Sequence, residues 1–128
     1  MLVISAALNE ARLAGVLTFL DTGGAGKVQI YGGTRPALGG APPAAALVEL
    51  PLAHPAGEVE DGVLTLTPTA EALVATSGTA TWARVRNGAG EIAFDCDVST
   101  TGGSGEITLP LVDLYAGGYS RLVSGVLG

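Results

Sequence analysis

Glycine and proline interrupt this chain too often to leave room for long helices or long strands. The 128 residues include 20 glycines and seven prolines, and several of these cluster in short stretches such as 22–26 and 36–45. Glycine weakens helix and strand interiors, and proline removes a backbone donor from both. We therefore expect short strands joined by turns, apart from the first segment of the chain.

The first segment is predicted to form an amphipathic helix over about 5–21. Ser5 can cap its start, and the glycine-rich stretch 22–26 can end it. No positive charge precedes the apolar run, and polar residues interrupt it, so it resembles neither a signal peptide nor a bilayer span. We expect a chain that is made and used without secretion. The apolar residues at helical spacing are Leu13, Val16, Leu17 and Leu20.

The rest of the chain is predicted to be β-structure. Segments 36–45 and 53–62 are predicted as loops, 70–75 fits either a helical turn or a short strand, and 111–115 fits a strand or a turn. A single domain over 1–128 is expected, with its β part over about 27–128. It is mainly β, an antiparallel β-sandwich or small barrel with one N-terminal α-helix. The predicted strands are 27–31, 47–52, 63–67 (ended by Pro68), 106–109 and 119–127.

The strongest local signal is Asn87-Gly88, a dipeptide typical of β-hairpin turns, in the segment 79–98. A loop of two or four residues there pairs residues whose numbers sum to 177. That register pairs Trp82 with Asp95 on a charged face, and a slip of one residue would carry Asp95 into the core. Trp82 is then either covered within the chain or an interface anchor. The inward side chains are Val85, Ile92, Phe94 and Cys96.

Charge and composition exclude several classes of function. The net charge is −6, with 12 acidic residues against six basic ones. Binding to nucleic-acid phosphates needs clustered positive charge, so no direct nucleic-acid partner is expected. One cysteine and one histidine rule out an intramolecular disulfide and a metal site rich in Cys or His.

No group of residues predicts catalysis. His54 stands alone in a loop, and Cys96 lies on the apolar face of the hairpin as a buried thiol. Asp95 and Asp97 share a strand face, but Arg84 and Arg86, on the same face across the hairpin, offer simple charge partners. The stretch 23–27 (GGAGK) follows a helix and precedes a strand, the reverse of a phosphate-binding loop. We expect no enzyme: no catalytic residue, no cofactor and no bound metal.

Four stretches together resemble a family of small tailed-bacteriophage structural proteins encoded among virion morphogenesis genes. They are the opening helix with its glycine-rich turn, KVQIYGGTRPA (27–37), GTATWARV (78–85) and FDCDV (94–98). The second and third resemble the family patterns K-[LI]-[RQ]-I-Y-x-G-x-[RQ]-P-A and G-T-A-x-W-[FA]-R. The chain departs from the family at Cys96, where a small residue is usual, and at Ser99, where glycine is usual.

The resemblance implies a non-enzymatic component of a bacteriophage particle, in the first place a minor capsid or decoration protein. The alternatives are a tail or connector structural protein, and a receptor- or carbohydrate-binding β-sandwich module. Its expected partners are the major capsid protein or other virion proteins, with no membrane partner. Its expected location is the virion, after synthesis in the host bacterial cytoplasm.

The small number of charged residues and the unpaired strand edges also favour a homo-oligomer, a dimer or a trimer. The contact is expected in and beside the long loop 32–46, because long loops often become ordered at interfaces. The alternative is that this loop is only a tolerated surface insertion. The candidate interface residues are Tyr31, Arg35, Pro36 and Trp82.

Overall fold

The computed structural model describes residues 2–67 and 69–128, so Pro68, predicted to end a strand, lies outside the described residues. In this part of the chain one helix, α1 (Ala6–Leu20), precedes twelve strands. The strands are β1 (Lys27–Tyr31), β2 (Val48–Pro51), β3 (Gly57–Glu60), β4 (Val63–Leu66), β5 (Ala72–Leu73), β6 (Gly78–Thr79), β7 (Trp82–Arg86), β8 (Ile92–Thr100), β9 (Ile107–Leu109), β10 (Asp113–Leu114), β11 (Tyr119–Ser120) and β12 (Ser124–Leu127).

The helix predicted for 5–21 is confirmed. Ser5 is its N-cap, and the Ser5 hydroxyl accepts a hydrogen bond from the Leu8 backbone N–H at 3.1 Å. The helix packs against β3, β4 and β8. The predicted apolar stripe therefore faces the β-structure of its own subunit: Leu13 and Leu20 are buried, and Val16 and Leu17 are partly buried against the core.

Eight of the strands form one curled sheet in the order β2-β1-β7-β8-β9-β12-β4-β3. Neighbouring strands in it are antiparallel except β8 and β9, which are parallel. Two further pairs, β10 with β6 and β11 with β5, form small two-stranded sheets. The predicted fold class is confirmed: the molecule is mainly β, a half-barrel with one helix at its N-terminal side.

The link between β2 and β3 explains why the sheet curls. These two strands are its opposite edges, and a flat sheet of eight strands would place them roughly 34 Å apart, at about 4.8 Å per gap. They are also consecutive in the chain, and the extended reach of the segment 52–56 is only about 20 Å. The sheet must bend until its edges approach. The concave side then encloses the core, which includes Val28, Ile30, Leu50, Leu66, Val85, Cys96 and Ile107.

The register predicted for the β7–β8 hairpin is wrong by two residues. The observed pairs include Ala83 with Cys96, Arg84 with Asp95, and Val85 with Phe94. The reason is the buried side chain of Asn87, whose Oδ1 accepts from the N–H groups of Ala89 and Glu91 at 3.1 and 2.9 Å. These bonds hold a longer loop, 87–91, with an irregularity after Val85. A shift of two keeps Val85, Phe94 and Cys96 on the predicted inner face, whereas the irregularity places Ile92, predicted inward, opposite the outward Arg86.

The loop predicted for 53–62 is also corrected, because it contains β3. Asp61 and Gly62 both have positive φ angles, 52° and 77°. Such a pair forms the tight turn that matches the twist of two antiparallel strands. The turn brings β3 against β4, with Val59 opposite Leu64.

The remaining differences concern short strands. The single strand predicted for 119–127 divides into β11 and β12, which pair with different partners. The two segments left open, 70–75 and 111–115, contain the two-residue strands β5 and β10. Pairs this short carry too little periodicity to be recognised in a sequence.

The parallel pairing of β8 and β9 depends on one glycine. Parallel neighbours usually need a crossover of about a dozen residues or more, yet here the segment 101–106 brings β9 back beside β8, with Val98 opposite Ile107. A Cβ atom on Gly105 would lie 2.8 Å from the Ser99 backbone nitrogen. The return path is therefore open only to a residue without a side chain.

Candidate interface on the outer face of the sheet

A buried ion pair lies on the outer face of β7 and β8, the face opposite the core. Arg84 donates from Nε and Nη2 to the two carboxylate oxygens of Asp95 at 2.8 and 3.0 Å. Both side chains are almost wholly buried. Paired charge-assisted bonds of this kind are strong and fix geometry. The hydrogen bonds to Asp95 raise the pKa of Arg84, so the guanidinium is charged at every physiological pH.

The segment 32–46, which we call the anchored loop, covers this ion pair. It contains no helix or strand, as predicted. Three side chains of the segment 81–84 nevertheless donate hydrogen bonds to backbone carbonyl oxygens of the anchored loop, so the path of the loop is fixed. The bonds are Thr81 Oγ1 to Gly33 O at 2.7 Å, Trp82 Nε1 to Gly32 O at 3.2 Å and Arg84 Nη1 to Gly40 O at 2.9 Å.

Two of the predicted interface residues, Tyr31 and Trp82, form the floor beneath the anchored loop. Their rings are stacked with centroids 4.5 Å apart, and the Arg84 guanidinium carbon lies 5.4 Å from the Trp82 ring centroid. Tyr31 is 6% exposed and Trp82 is 1% exposed. Trp82 is therefore covered within the chain, and neither ring has surface left for a partner in this conformation.

The other two predicted residues, Arg35 and Pro36, lie on the loop itself. The Arg35 guanidinium is 3.5 Å from Asp97, and both side chains remain substantially exposed. Asp97 is the strand partner of Trp82, so all four predicted residues gather at the same face of the sheet. They gather in two layers, with the aromatic pair below and the loop residues above.

The surface of the anchored loop combines apolar and cationic groups. Leu38 stands out from it with 69% of its side chain exposed. A shallow depression of about 300 Å³ lies beside it, lined by Arg35, Pro36, Leu38, Phe94 and Asp95. This arrangement can bind a protein surface by contact, and the carboxylate in its lining, Asp95, is already bound by Arg84.

The sequence did not indicate Leu38 or the carbonyl oxygen of Gly40. The resemblance to the phage family pointed to the start of the loop, and the glycines and prolines of 36–45 carry no periodicity from which a path could be predicted. One signal was present: Arg84 and Asp95 were predicted on the same face of the hairpin. A buried guanidinium paired with one carboxylate keeps a free donor, which needs an acceptor from elsewhere in the chain.

The candidate catalytic groups lie apart from one another. His54 is exposed, with Nε2 3.3 Å from the Asp21 carbonyl oxygen. Cys96 is buried on the core side, and burial raises the pKa of its thiol to about 12. Asp95 and Asp97 are neighbours in β8, but each faces its own arginine. Within residues 2–67 and 69–128, no three His, Cys, Asp or Glu side chains are grouped as a metal site requires.

Comparisons with known proteins add no assignment. In the described part of the chain, no helix has both the length and the apolar character needed to cross a bilayer. Comparison with protein-family models, with curated proteins and with solved structures found no match.

Proposed function

We propose that this chain is a non-enzymatic structural component of a bacteriophage particle, a minor capsid or decoration protein that binds the capsid lattice through the anchored loop. The resemblance of the stretches 27–37 and 78–85 to phage structural proteins supports a place for this chain in a phage particle. The observation that supports the anchored loop as the binding surface is the hydrogen bond that Arg84 donates to the carbonyl oxygen of Gly40.

The anchoring supports a binding role because it is costly. Removing two charges from water costs several kcal/mol per ion, and a buried ion pair often contributes no net stability against apolar residues. Arg84 and Asp95 lie under a loop built mainly of glycine, alanine and proline. Their evident effect is to hold that loop in one shape. A contact surface held in its bound shape loses less conformational entropy when a partner arrives.

The exposed groups of the anchored loop indicate what kind of partner surface it can bind. Leu38 and Pro36 offer apolar contact area, and Arg35 beside them is a partly exposed cation. Asp97 neutralises Arg35 only through an exposed contact, which is weak in water. A lattice surface that presents an apolar pocket next to a carboxylate is complementary to this group.

A second exposed region supports self-association. Its apolar side chains precede α1 or lie in its first turn, and each of these residues is at least 37% exposed. They are Leu2, Val3, Ile4 and Leu8. Together they present an apolar arm, and exposed apolar patches commonly mark protein contacts. We propose that this arm joins copies of the chain into a dimer or trimer.

Copy number tests the place in the particle. Quantitative mass spectrometry of purified particles, normalised to the major capsid protein, should give a multiple of about sixty copies for a shell protein. About six or twelve copies would move the chain to the connector or the tail. Absence from the particle would refute the virion role.

Binding to particles that lack the protein tests the surface. We expect Leu38→Glu to weaken binding of the full chain at least about tenfold, since it places a charge in an apolar contact. Leu73→Glu, at an exposed leucine elsewhere in the chain, is the matched control and should bind as the parent does. Unchanged binding of Leu38→Glu would exclude the anchored loop as the docking surface.

A further inference from the structure

Two tyrosines, unlike Tyr31, are displayed on the surface by a hydrogen-bonded turn. Tyr115 is 72% exposed and Tyr119 is 67% exposed. The turn between them is closed by a bond from Gly118 N to Tyr115 O at 2.9 Å, and it is fastened to the neighbouring segment through Val74. Those fastening bonds are Gly117 N to Val74 O at 3.0 Å and Val74 N to Gly118 O at 2.8 Å.

A small pocket opens beside these rings. Its volume is about 150 Å³, and its lining residues come from the segments 110–120 and from Val74. Leu111 stands exposed at its rim, and Leu114 is buried at its wall. An apolar cavity of about 150 Å³ can hold a benzene molecule, so this pocket accepts part of a larger ring that carries polar substituents.

The wall of the pocket includes a residue whose side-chain oxygen has no partner. The Oγ of Ser120 is buried, with the residue 4% exposed, and among the described residues it is the one buried side-chain oxygen or nitrogen that makes no hydrogen bond. Ser120 lines the pocket. A buried hydroxyl left unpaired costs stability, and such an atom calls for a bound partner. That Oγ has less than 1 Å² of accessible surface, so a ligand hydroxyl reaches it only after the Ser120 side chain rotates towards the pocket.

The charges of the residues that line the pocket further restrict the class of ligand that it can bind. Asp113 contributes a carboxylate, which Thr79 Oγ1 holds with a bond of 2.9 Å to Oδ1. No residue of the lining is basic. An anionic ligand is therefore disfavoured, whereas hydroxyl groups can donate to a carboxylate and both donate to and accept from a serine.

We propose that this pocket binds one pyranose ring of an uncharged saccharide. Exposed, rigid tyrosines suit the apolar face of a sugar ring, because an aromatic ring offers apolar area together with a polar edge. Ser120 Oγ and the Asp113 carboxylate suit its hydroxyl groups. The site is independent of the anchored loop, and the proposal does not rest on the proposed role in the particle.

Titration of the isotope-labelled full chain with simple sugars tests this site. The probes are methyl glucoside, methyl galactoside and N-acetylglucosamine, and the readout is the amide shifts of residues 110–120. We expect at least one probe to bind saturably with a Kd of about 1–10 mM, as befits a single small ring. Tyr115→Ala and Tyr119→Ala should each weaken binding about tenfold, whereas Tyr119→Phe should retain most of it.

Ser120→Ala separates a ligand site from a packing role. We expect it to weaken sugar binding about fivefold while the unfolding midpoint stays the same or rises, because it removes an unpaired buried hydroxyl. Leu38→Ala, equally exposed but on the anchored loop, is the control and should leave the Kd unchanged. The tyrosine variants keep the test decisive if Ser120→Ala folds poorly, since their side chains are exposed.

Three results would overturn the proposal. One is the absence of saturable shifts with all three sugars up to about 100 mM. Another is a Kd that both tyrosine→alanine variants leave unchanged. The third is a change in molecular mass of the unliganded chain in Tyr115→Ala or Tyr119→Ala, which would make this face a contact between copies. None of these results requires a phage particle, so each is distinguishable from failure of the proposed lattice role.

Discussion

Arg84 connects the hairpin to the anchored loop, and its substitution by lysine tests that connection. Lysine keeps the charge but cannot make two parallel bonds to Asp95 and a third to Gly40 O in the same geometry. We expect Arg84→Lys to lower the free energy of unfolding by about 2–4 kcal/mol, measured by urea denaturation. Hydrogen exchange should rise in the anchored loop more than in β1.

The matched control is Arg35→Lys. Its ion pair with Asp97 is exposed, and such pairs contribute at most about 1 kcal/mol. Equal exchange rates in the loops of Arg84→Lys and the parent chain would mean that the loop is held by contacts other than the Arg84 bond.

Cys96 gives the molecule a predictable response to alkaline pH. Burial, first of all, raises the pKa of its thiol from an ordinary value near 9 to about 12. The unfolded chain releases this proton at lower pH than the folded chain, so the contribution is intact below about pH 9 and is lost as the pH rises towards 12. We expect about 4 kcal/mol less stability at the upper end of that window.

Urea unfolding of the parent and of Cys96→Ala at several pH values isolates this contribution. The variant should lose less stability than the parent between about pH 9 and pH 11. Parallel pH profiles would show that the thiol does not carry the effect. In the folded parent at neutral pH, the thiol should also resist alkylation, because only the thiolate is reactive.

At the scale of elements, the apolar stripe of α1 determines whether the helix stays on the sheet. Leu13 is buried and Leu8, on the same helix, is exposed. Truncation of a buried leucine typically costs about 2–5 kcal/mol, so we expect Leu13→Ala to lower the urea midpoint markedly. Leu8→Ala, which removes the same atoms from the surface, should change it little. Equal losses in the two variants would mean that the helix packs through a different face.

The elements that could be predicted from the sequence are those whose signal is local. The Ser5 cap, the helix stripe and the alternation in 27–31 each lie within one segment, and the structure confirms them. The hairpin faces were predictable as far as Phe94, because the period of a strand is two, but the irregularity that places Ile92 opposite Arg86 was not. The hairpin register was not, because it depends on how the buried Asn87 side chain folds the loop 87–91.

The missing elements have physical reasons of two kinds. β3 could have been predicted, since Asp61-Gly62 is a hairpin dipeptide like Asn87-Gly88. The presence of Pro55 and Gly57 led instead to the prediction of a loop. The strands that pair with β9 and β12 could not be predicted, because pairing between strands distant in the chain is determined by the tertiary structure. The same holds for the site: Tyr31 and Trp82 were predicted as interface residues but lie buried beneath the anchored loop, and the contact of Arg84 with Gly40 joins distant segments.

At the scale of the whole molecule, apolar surface and net charge oppose each other. The arm formed by Leu2, Val3, Ile4 and Leu8 favours association of copies, and the net charge of −6 opposes it. Salt screens the charge and leaves the apolar contact. We expect the mass measured by sedimentation to increase from about 0.05 M to about 0.5 M salt.

The substitution Val3→Asp identifies the surface responsible. We expect this variant to remain a monomer at both salt concentrations, with an unchanged unfolding midpoint, because Val3 is exposed. Val126→Asp, an exposed valine in β12, is the control and should associate like the parent. Association of Val3→Asp at the parent level would place the contact between copies elsewhere.

The bond from Arg84 to Gly40 O divides the anchored loop into two parts with different freedom to vary in length. Residues between Gly33 and Gly40 span two fixed points on the sheet, so an added residue there would displace an anchor. Beyond Gly40, the residues 41–45 are exposed or half-buried and run to the start of β2 without side-chain anchors of this kind. Lengthening a flexible loop costs little, about 0.6 kcal/mol per doubling, and insertions succeed where backbone is neither buried nor bonded. A foreign peptide grafted after Ala44 should therefore be displayed on the surface while the half-barrel and the outer ion pair fold as before.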